Sequence, residues 1–349
     1  MKTKLFHCIF FLLLVHSGLI TSLDAATPPV ITIMTHDSFA VSEGVLKLFE
    51  KQYQAQIKIL KIGDAGAALT QAILSKNNPL GDIFYGIDNT YMSRALKANI
   101  FEPYRPALLS KIPDILKIDV TNRMIPVDFG DVCLNYDIEW FNQKKIPFPK
   151  DLSDLTQPQY KSLLVVENPA ISSPGLAFLF TTVGRFGESG YLDFWKQLRA
   201  NDVYVSNGWT DAYYGQFSRA KGGTRPIVVS YGGSPPAEVF YSEKKLNRAP
   251  TAAMLSSKSA FRQIEFVGIL KGTKHLMLAQ KLVDFMLSPE FQKDIPLHMW
   301  VYPAMPDTPL PEVFVKYAQK ANDPIILSPE TISLNMQQWI EKWTTEVLH

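Results

Sequence analysis

Short β-rich runs alternate with longer segments of helical period along most of this chain, and that alternation restricts the fold more than any single residue does. VITIMT (30–35) precedes EGVLKLFEKQY, QIKILKI precedes GAALTQAILSK, and DIFYGI precedes TYMSRALKANI. A second series follows, with SLLVVEN before PGLAFLFTTVGRFG, VYVSN before TDAYYGQFSRA, and PIVVSYG before PPAEVFYSEKK. Strand followed by helix, repeated, builds mostly parallel sheets with helices on both faces. Between the two series lies RMIPVDFGDVCLNYD, an extended segment with no helix of its own, and SAFRQIEFVGILKG is a second such segment. Two crossings between two α/β lobes place a cleft between the lobes and make the crossings its hinge. The expected architecture is therefore α/β and two-lobed, with residues 27–128 plus 259–306 in lobe 1 and 129–258 plus 307–349 in lobe 2. The tail SPETISLNMQQWIEKWTTEVL carries apolar residues at helical spacing, with Ser328 as its N-cap and Pro329 and Glu330 in the first turn.

The N-terminus reads differently. Lys2 and Lys4 precede the apolar run IFFLLLVHSGLI, and the small-residue stretch LDAAT follows it. That order marks residues 1–26 as a secretory signal peptide, cut near Ala25 or Ala26. The run is short for a membrane span, and Cys8 lies too early in it to be a lipid-anchored cysteine. The form of the signal points to a bacterial source and a mature protein in the periplasm. Only Cys133 then remains, so no internal disulfide is expected. A formal charge of +2 over 349 residues gives no sign of a nucleic-acid partner.

In open α/β sheets the ligand lies outside the carboxyl ends of the strands, where loops pass into helix starts. The junctions NPAISSPG, SNGWTDA and SYGGSPP present helix-start amides together with the hydroxyls of Ser172, Ser173 and Ser234, which suits an anion such as a phosphate. Ordinary caps and turns account for the same residues. The first lobe offers carboxylates at matching places: Asp37 after the first strand, Asp88 after the third, and Asp128 and Asp131 on the crossing segment. These suit a cation or an amine donor, although Asp88 also fits as a helix cap. Trp209, Tyr231 and Tyr302 add aromatic faces, and aromatics beside carboxylates hold delocalised or quaternary cations. Core packing is the other role open to each of them.

Catalytic signatures are missing: no HExxH, GxSxG, Walker loop, CxxC or GxGxxG occurs. The mature histidines, His36, His275, His298 and His349, are scattered, so a zinc site is not expected. Cys133 reads either as a small buried residue on a strand or as a reactive thiol.

The order THDSF, GDIFYGIDN, VDFGDVCLNYD, NPAISSPGLAF, NGWTDAYYGQF, VVSYGGSP, LAQKLVDFMLSPEFQKDIP and MWVYP resembles the periplasmic thiamine-binding proteins of ABC importers, from about Val30 to Trp343. The resemblance implies a periplasmic-binding-protein-like fold of type II and a non-enzymatic, monomeric protein without a cofactor. It implies thiamine or its mono- or diphosphate as ligand, delivered to an inner-membrane permease driven by a cytoplasmic ATPase. The family's ligand loop after the second strand falls on Ala65 and Gly66, its helix-start pair on Ser172 and Ser173, and its stacking tryptophan on Trp209. The last cleft loop falls on Tyr231, Gly232, Gly233 and Ser234; Tyr231 would stack on the ligand's rings, and Ser172, Ser173, Gly232, Gly233 and Ser234 would hold its arm or phosphate through hydroxyls and helix-start amides. Asp37, Asp88 and Asp131 are then candidates for the charge and the amino group, and Tyr302 for ring stacking. The chain departs from the family at Ala65, where Asp is common, at His36, and at Asp131, where the best-known members carry Tyr. These departures imply a rearranged cation pocket, with Asp131 serving the aminopyrimidine or the thiazolium. Two other readings share the fold: a binding protein for a polyamine or ferric iron, the latter suggested by Tyr213 beside Tyr214, and a thiaminase I-like enzyme using Cys133 with Asp131 as its base.

Overall fold

The structure, a computed structural model, describes residues 27–349, so the expected signal peptide lies outside the described residues. The first strand–helix series forms β1 (Val30–Thr35), α1 (Glu43–Tyr53), β2 (Gln56–Lys61), α2 (Ala65–Leu74), β3 (Ile83–Asp88), α3 (Met92–Ala98) and the short β4 (Phe101–Glu102). β3 is buried at every position, as a strand covered on both faces must be. Ser42 starts α1 by accepting the Val45 amide at 3.1 Å, and Asp64 starts α2 by accepting that of Ala65 at 2.7 Å.

The second series runs from the 13-residue β5 (Ile125–Asp137) and α4 (Ile138–Lys144) to β6 (Leu164–Glu167), α5 (Ser173–Ala200) and β7 (Tyr204–Ser206). It continues through α6 (Trp209–Asp211), β8 (Ile227–Tyr231), α7 (Pro235–Phe240) and β9 (Thr251–Met254). The chain then returns along β10 (Phe261–Leu270) and ends with α8 (Leu276–Met286), α9 (Pro289–His298), β11 (Tyr302–Pro303), α10 (Glu312–Tyr317) and α11 (Pro329–Val347).

All strands among the described residues belong to one sheet, ordered β2-β1-β3-β10-β5-β8-β6-β7, with β4 on β10 and with β9 and β11 on β5. At its two ends β1 pairs in parallel with β2 and β3, and β6 with β7 and β8. The two helix-free segments form the antiparallel centre, where β5 and β10 pair from Phe261↔Val132 to Val267↔Ile125. They join the two lobes as the extended pattern required.

One expected helix is different. TDAYYGQFSRA is not a continuous α-helix: α6 is a single turn that widens into a π-helical turn over Ala212–Gln216. The buried ring of Tyr213 is tied by its hydroxyl to Glu238 at 2.9 Å, and Phe217 is buried just beyond it in a bridge to Arg225. These anchors hold the segment against the sheet and leave the wider ladder between them.

The tail folds as expected. Ser328 accepts the Thr331 amide at 3.1 Å, and α11 lies against α5 and α3. Trp343 meets Trp195 edge-on at 5.4 Å, and Trp339 meets Phe180 at 5.6 Å.

On the joint itself, Arg262 of β10 grips Asp131 of β5 through two parallel bonds of 2.8 and 2.9 Å. Asp131 also accepts the Ala321 amide at 2.7 Å, which draws in the segment before α11. The Asp131 side chain is only 1 % exposed, so removing its partner strands a charge in the interior. Arg262→Ala is expected to lower stability by about 3 kcal/mol, near the bottom of the range for such breaks because the arginine keeps some contact with water. Urea denaturation of the variant and of the unmodified protein measures the difference.

Candidate functional site

A cavity of about 380 Å³ opens between the two series of strand ends, within the size range of small-molecule sites. Its aromatic surface comes mainly from the second series: Trp209, Tyr213, Tyr214 and Tyr231. Trp209 stacks on Tyr213 at 5.1 Å with 21° between the planes, and its indole N–H donates to Ser230 at 2.9 Å. Ser230 shares a hydrogen with Ser234 at 2.8 Å, so the ring is oriented from behind. The chain enters α6 through Gly208 in extended form, and Trp209 lines the cavity.

The acidic surface comes from the first series and the crossing strands: Asp37, Asp64, Asp128 and Glu265. Lys61, whose ammonium donates to the Asp37 carbonyl at 2.9 Å, and the imidazoles of His36 and His298 are the basic groups of the wall. His298 lies 3.2 Å from Asp294. The surplus of carboxylates and the aromatic faces opposite them form a surface suited to an organic cation.

The expected site residues divide into several groups. Asp37, Ala65, Ser173, Trp209, Tyr231 and Ser234 all face the cavity. Asp88 lies just beneath it, fully buried, where it accepts the Ser173 hydroxyl and, at 2.7 Å, the Gln263 amide. Its other oxygen accepts the Thr90 amide at 2.7 Å, while α3 starts at Tyr91, so Asp88 ties a turn and a lobe contact together and is not the helix cap. Burial raises the Asp88 carboxyl above the ordinary range, and the bonds from Ser173, Thr90 and Gln263 hold that rise back. Ser172 is buried behind the start of α5, and its hydroxyl finds no partner among the described residues. Gly66 is buried in the first turn of α2, against Tyr91 and the Ile171 carbonyl.

Gly232 and Gly233 face other parts of the chain. A Cβ at Gly232 would lie 2.2 Å from the Gln319 carbonyl and one at Gly233 would lie 1.9 Å from that of Trp300, so these glycines let neighbouring segments approach. Tyr302 stacks on Phe129 at 5.5 Å, and burial with the nearby Asp131 pushes its hydroxyl up to about 12.

Asp131 does not reach the pocket, and the reason is the parity of the strand. Successive residues of a strand point to opposite faces. Asp128 and Gly130 line the cavity, whereas Phe129 and Asp131 face the other side, where Arg262 already neutralises Asp131. Cys133 is fully buried on that strand in contact with Ala260 and Ala321, and burial, then Asp131, pushes its thiol well above the ordinary value.

Sequence reasoning missed Asp64 as a wall residue, Glu265, Tyr241 and Trp300. The signal for Glu265 was present in RQIEFVG, where Gln263 and Glu265 alternate with apolar residues on a segment already read as a crossing strand. Glu265 lies 3.4 Å from His36. Burial opposes a charge on His36, but Glu265, with Asp64 and Asp88 further away, outweighs it, so the imidazole keeps its proton above the ordinary 6.5. Burial likewise opposes a charge on Glu265, and the neighbouring His36, with Asp128 and Tyr85, overcomes it and holds the carboxyl below its usual range. For Asp128, burial and then the Glu265 charge raise the carboxyl well above its range.

Residues 78–326 match the family of bacterial extracellular solute-binding proteins. The thiamine-binding periplasmic protein of Salmonella typhimurium strain LT2 is 30% identical over 334 residues, covering 94% of this chain and 97% of that protein. That of Escherichia coli strain K12 is 30% identical over 324 residues, covering 91% and 94%. A solved structure of a periplasmic thiamin binding protein superposes with a TM-score of 0.81 at 26% identity, over 93% of this chain and 98% of that one.

The raised value of His36 has a defined consequence for stability. A group that binds its proton more tightly when folded stabilises the fold fully below its unfolded value, here 6.5, and loses that contribution as pH rises through the folded value. His36→Gln is therefore expected to be less stable than the unmodified protein at acidic pH, with the gap narrowing as the pH rises through and beyond the folded value. Urea midpoints across that range measure it, and a gap that widens with pH would contradict the charge assignment.

Proposed function

The chain belongs to the bacterial extracellular solute-binding protein family, and we propose that it captures thiamine in the cleft between its lobes and delivers it, in the periplasm, to an inner-membrane permease driven by a cytoplasmic ATPase. The observation that carries this reading is the pairing, in one cavity, of an aromatic wall with a surplus of carboxylates. Thiamine joins a permanently charged thiazolium to an aminopyrimidine and a hydroxyethyl arm. Trp209, Tyr214 and Tyr231 offer ring faces to the two heterocycles, and the carboxylates opposite them offer a counter-charge and acceptors for the amino group. Ser173 and Ser234 offer hydroxyls toward the arm. Rotation of the lobes about β5 and β10 would bring the two surfaces together around the ligand, the hinge response of two-lobed binding proteins.

The other readings find less support. Tyr213 commits its hydroxyl to Glu238, which weakens the tyrosine pair as an iron ligand. Among the described residues no three His, Cys, Asp or Glu side chains gather around a possible metal position. Cys133 is buried on the strand face away from the cleft, as an unionised thiol, and cannot attack a ligand held there.

Calorimetry is expected to show binding of thiamine and none of spermidine or ferric citrate; no heat with thiamine would refute the reading. Trp209→Ala is expected to weaken thiamine binding by roughly 2 kcal/mol, about thirtyfold in Kd, as for loss of a desolvated cation–π partner. Incubation with thiamine and a nucleophilic amine should return the thiamine intact.

A further inference from the structure

At the floor of the cleft four titratable groups make one connected set. His36 Nε2 lies 3.4 Å from Glu265 Oε1. The Tyr85 hydroxyl approaches Glu265 Oε2 at 3.3 Å and donates to Asp128. These residues come from the loop after β1, from β3, and from both crossing strands, so the set sits where the lobes join. His36, Asp128 and Glu265 all face the cavity.

The seat of His36 is built into the backbone. Gly86, at φ +90°, lies flat beneath the imidazole, and a Cβ there would come within 2.2 Å of His36 Cδ2. The ring is thus held against Glu265 by a left-handed glycine that no side chain could replace without moving it. The groups that face His36 from the surrounding elements are Glu265 on β10, Asp64 before α2, Asp88 at the end of β3, and the Tyr85 ring at 6.3 Å. All the charged ones are acidic. The other basic groups of the cavity wall, Lys61 and His298, are engaged by the Asp37 carbonyl and by Asp294.

A carboxylate closed off from water needs a positive partner. His36, 3.4 Å from Glu265, supplies one, because its neighbours hold its proton in place. We propose that Glu265 is the counter-ion of the ligand's permanent positive charge and that protonated His36 is its internal stand-in, giving up its proton when the ligand cation takes its place. The Nε2–H bond of the imidazolium breaks, the proton passes to the buffer, and the neutral ring stays seated on Gly86 while the ligand cation pairs with Glu265. Tyr231 lies close enough to feel the Glu265 charge, so a cation placed there also meets an aromatic face. A second positive charge beside His36 is what disfavours its proton. A neutral ligand cannot make this exchange, so the pair selects for a permanent cation.

The inference rests on the thiamine reading, and one experiment separates the two. Thiamine is titrated into the unmodified mature protein at pH 6 and pH 8, in pairs of buffers of different ionisation enthalpy. About one proton released per thiamine is expected at the lower pH and fewer at the higher. Affinity should rise with pH by up to about tenfold per unit below the His36 value and level off above it. In His36→Gln the buffer dependence should vanish and affinity should become flat with pH. Glu265→Gln should weaken binding by at least about thirtyfold. Tight thiamine binding with the same heat in every buffer at pH 6 would overturn the exchange and leave the thiamine reading standing, as would undiminished affinity in a folded Glu265→Gln variant. The absence of heat in all buffers would overturn both.

Discussion

Every part of the site depends on the pairing of β5 with β10. β5 carries hydrogen bonds of both lobes: its first half pairs with β10 and its second half with β8 and β9, while β10 reaches on to β3. The strict alternation of a strand then sorts side chains with no help from the loops. One face of the joint sends Asp128, Gly130, Gln263 and Glu265 into the cleft. The other sends Phe129, Asp131 and Arg262 toward β11 and the returning tail, where the ion pair and the stacked Tyr302 lock them. A slip of one residue in this register would turn the slipped strand's side chains to the opposite face. It would part Arg262 from Asp131 and Glu265 from Asp128, leaving Asp131 without its partner.

The same alternation explains what was legible in the sequence and what was not. Periodicity of strand and helix located the parallel strands and the two crossings, because burial on both faces leaves continuous apolar runs such as IFYGID. Trp209 was legible because Gly208 and the helix start after it mark a loop at a strand end. Asp131 was misplaced because an acidic residue near a cleft was taken by position along the chain, without its parity relative to Asp128. Glu265 was overlooked because a lone carboxylate in an apolar strand has no local sign of its partner. His36 lies more than two hundred residues away in the chain and meets it only through the sheet. Gly232 and Gly233 were read as part of a ligand loop because glycine serves a ligand and a neighbouring backbone equally well. Only the fold shows that Gln319 and Trp300 occupy the space above them.

The division of chemistry between the lobes bears on how the cleft works. Most of the rings come from the second series, with Phe39 from the first and Trp300 from the segment after α9, and the carboxylates come from the first series and the joint. Closure sets charge opposite ring and removes the water between them, which strengthens each interaction in proportion to the fall in local dielectric. It also makes an empty closed cleft expensive, since the same carboxylates are then buried without a ligand. The contacts that already cross the gap show how the chain meets this cost. Asp88 of β3 accepts the Ser173 hydroxyl at the start of α5, and Asp64 reaches toward Gly208. Burial pushes Asp128 toward its neutral form, and His36 carries a compensating proton beside Glu265. With one carboxyl neutral, one paired and one bonded across the lobes, the cleft can close on solvent or on a cation with little change in net charge. The ligand then needs only to replace a proton.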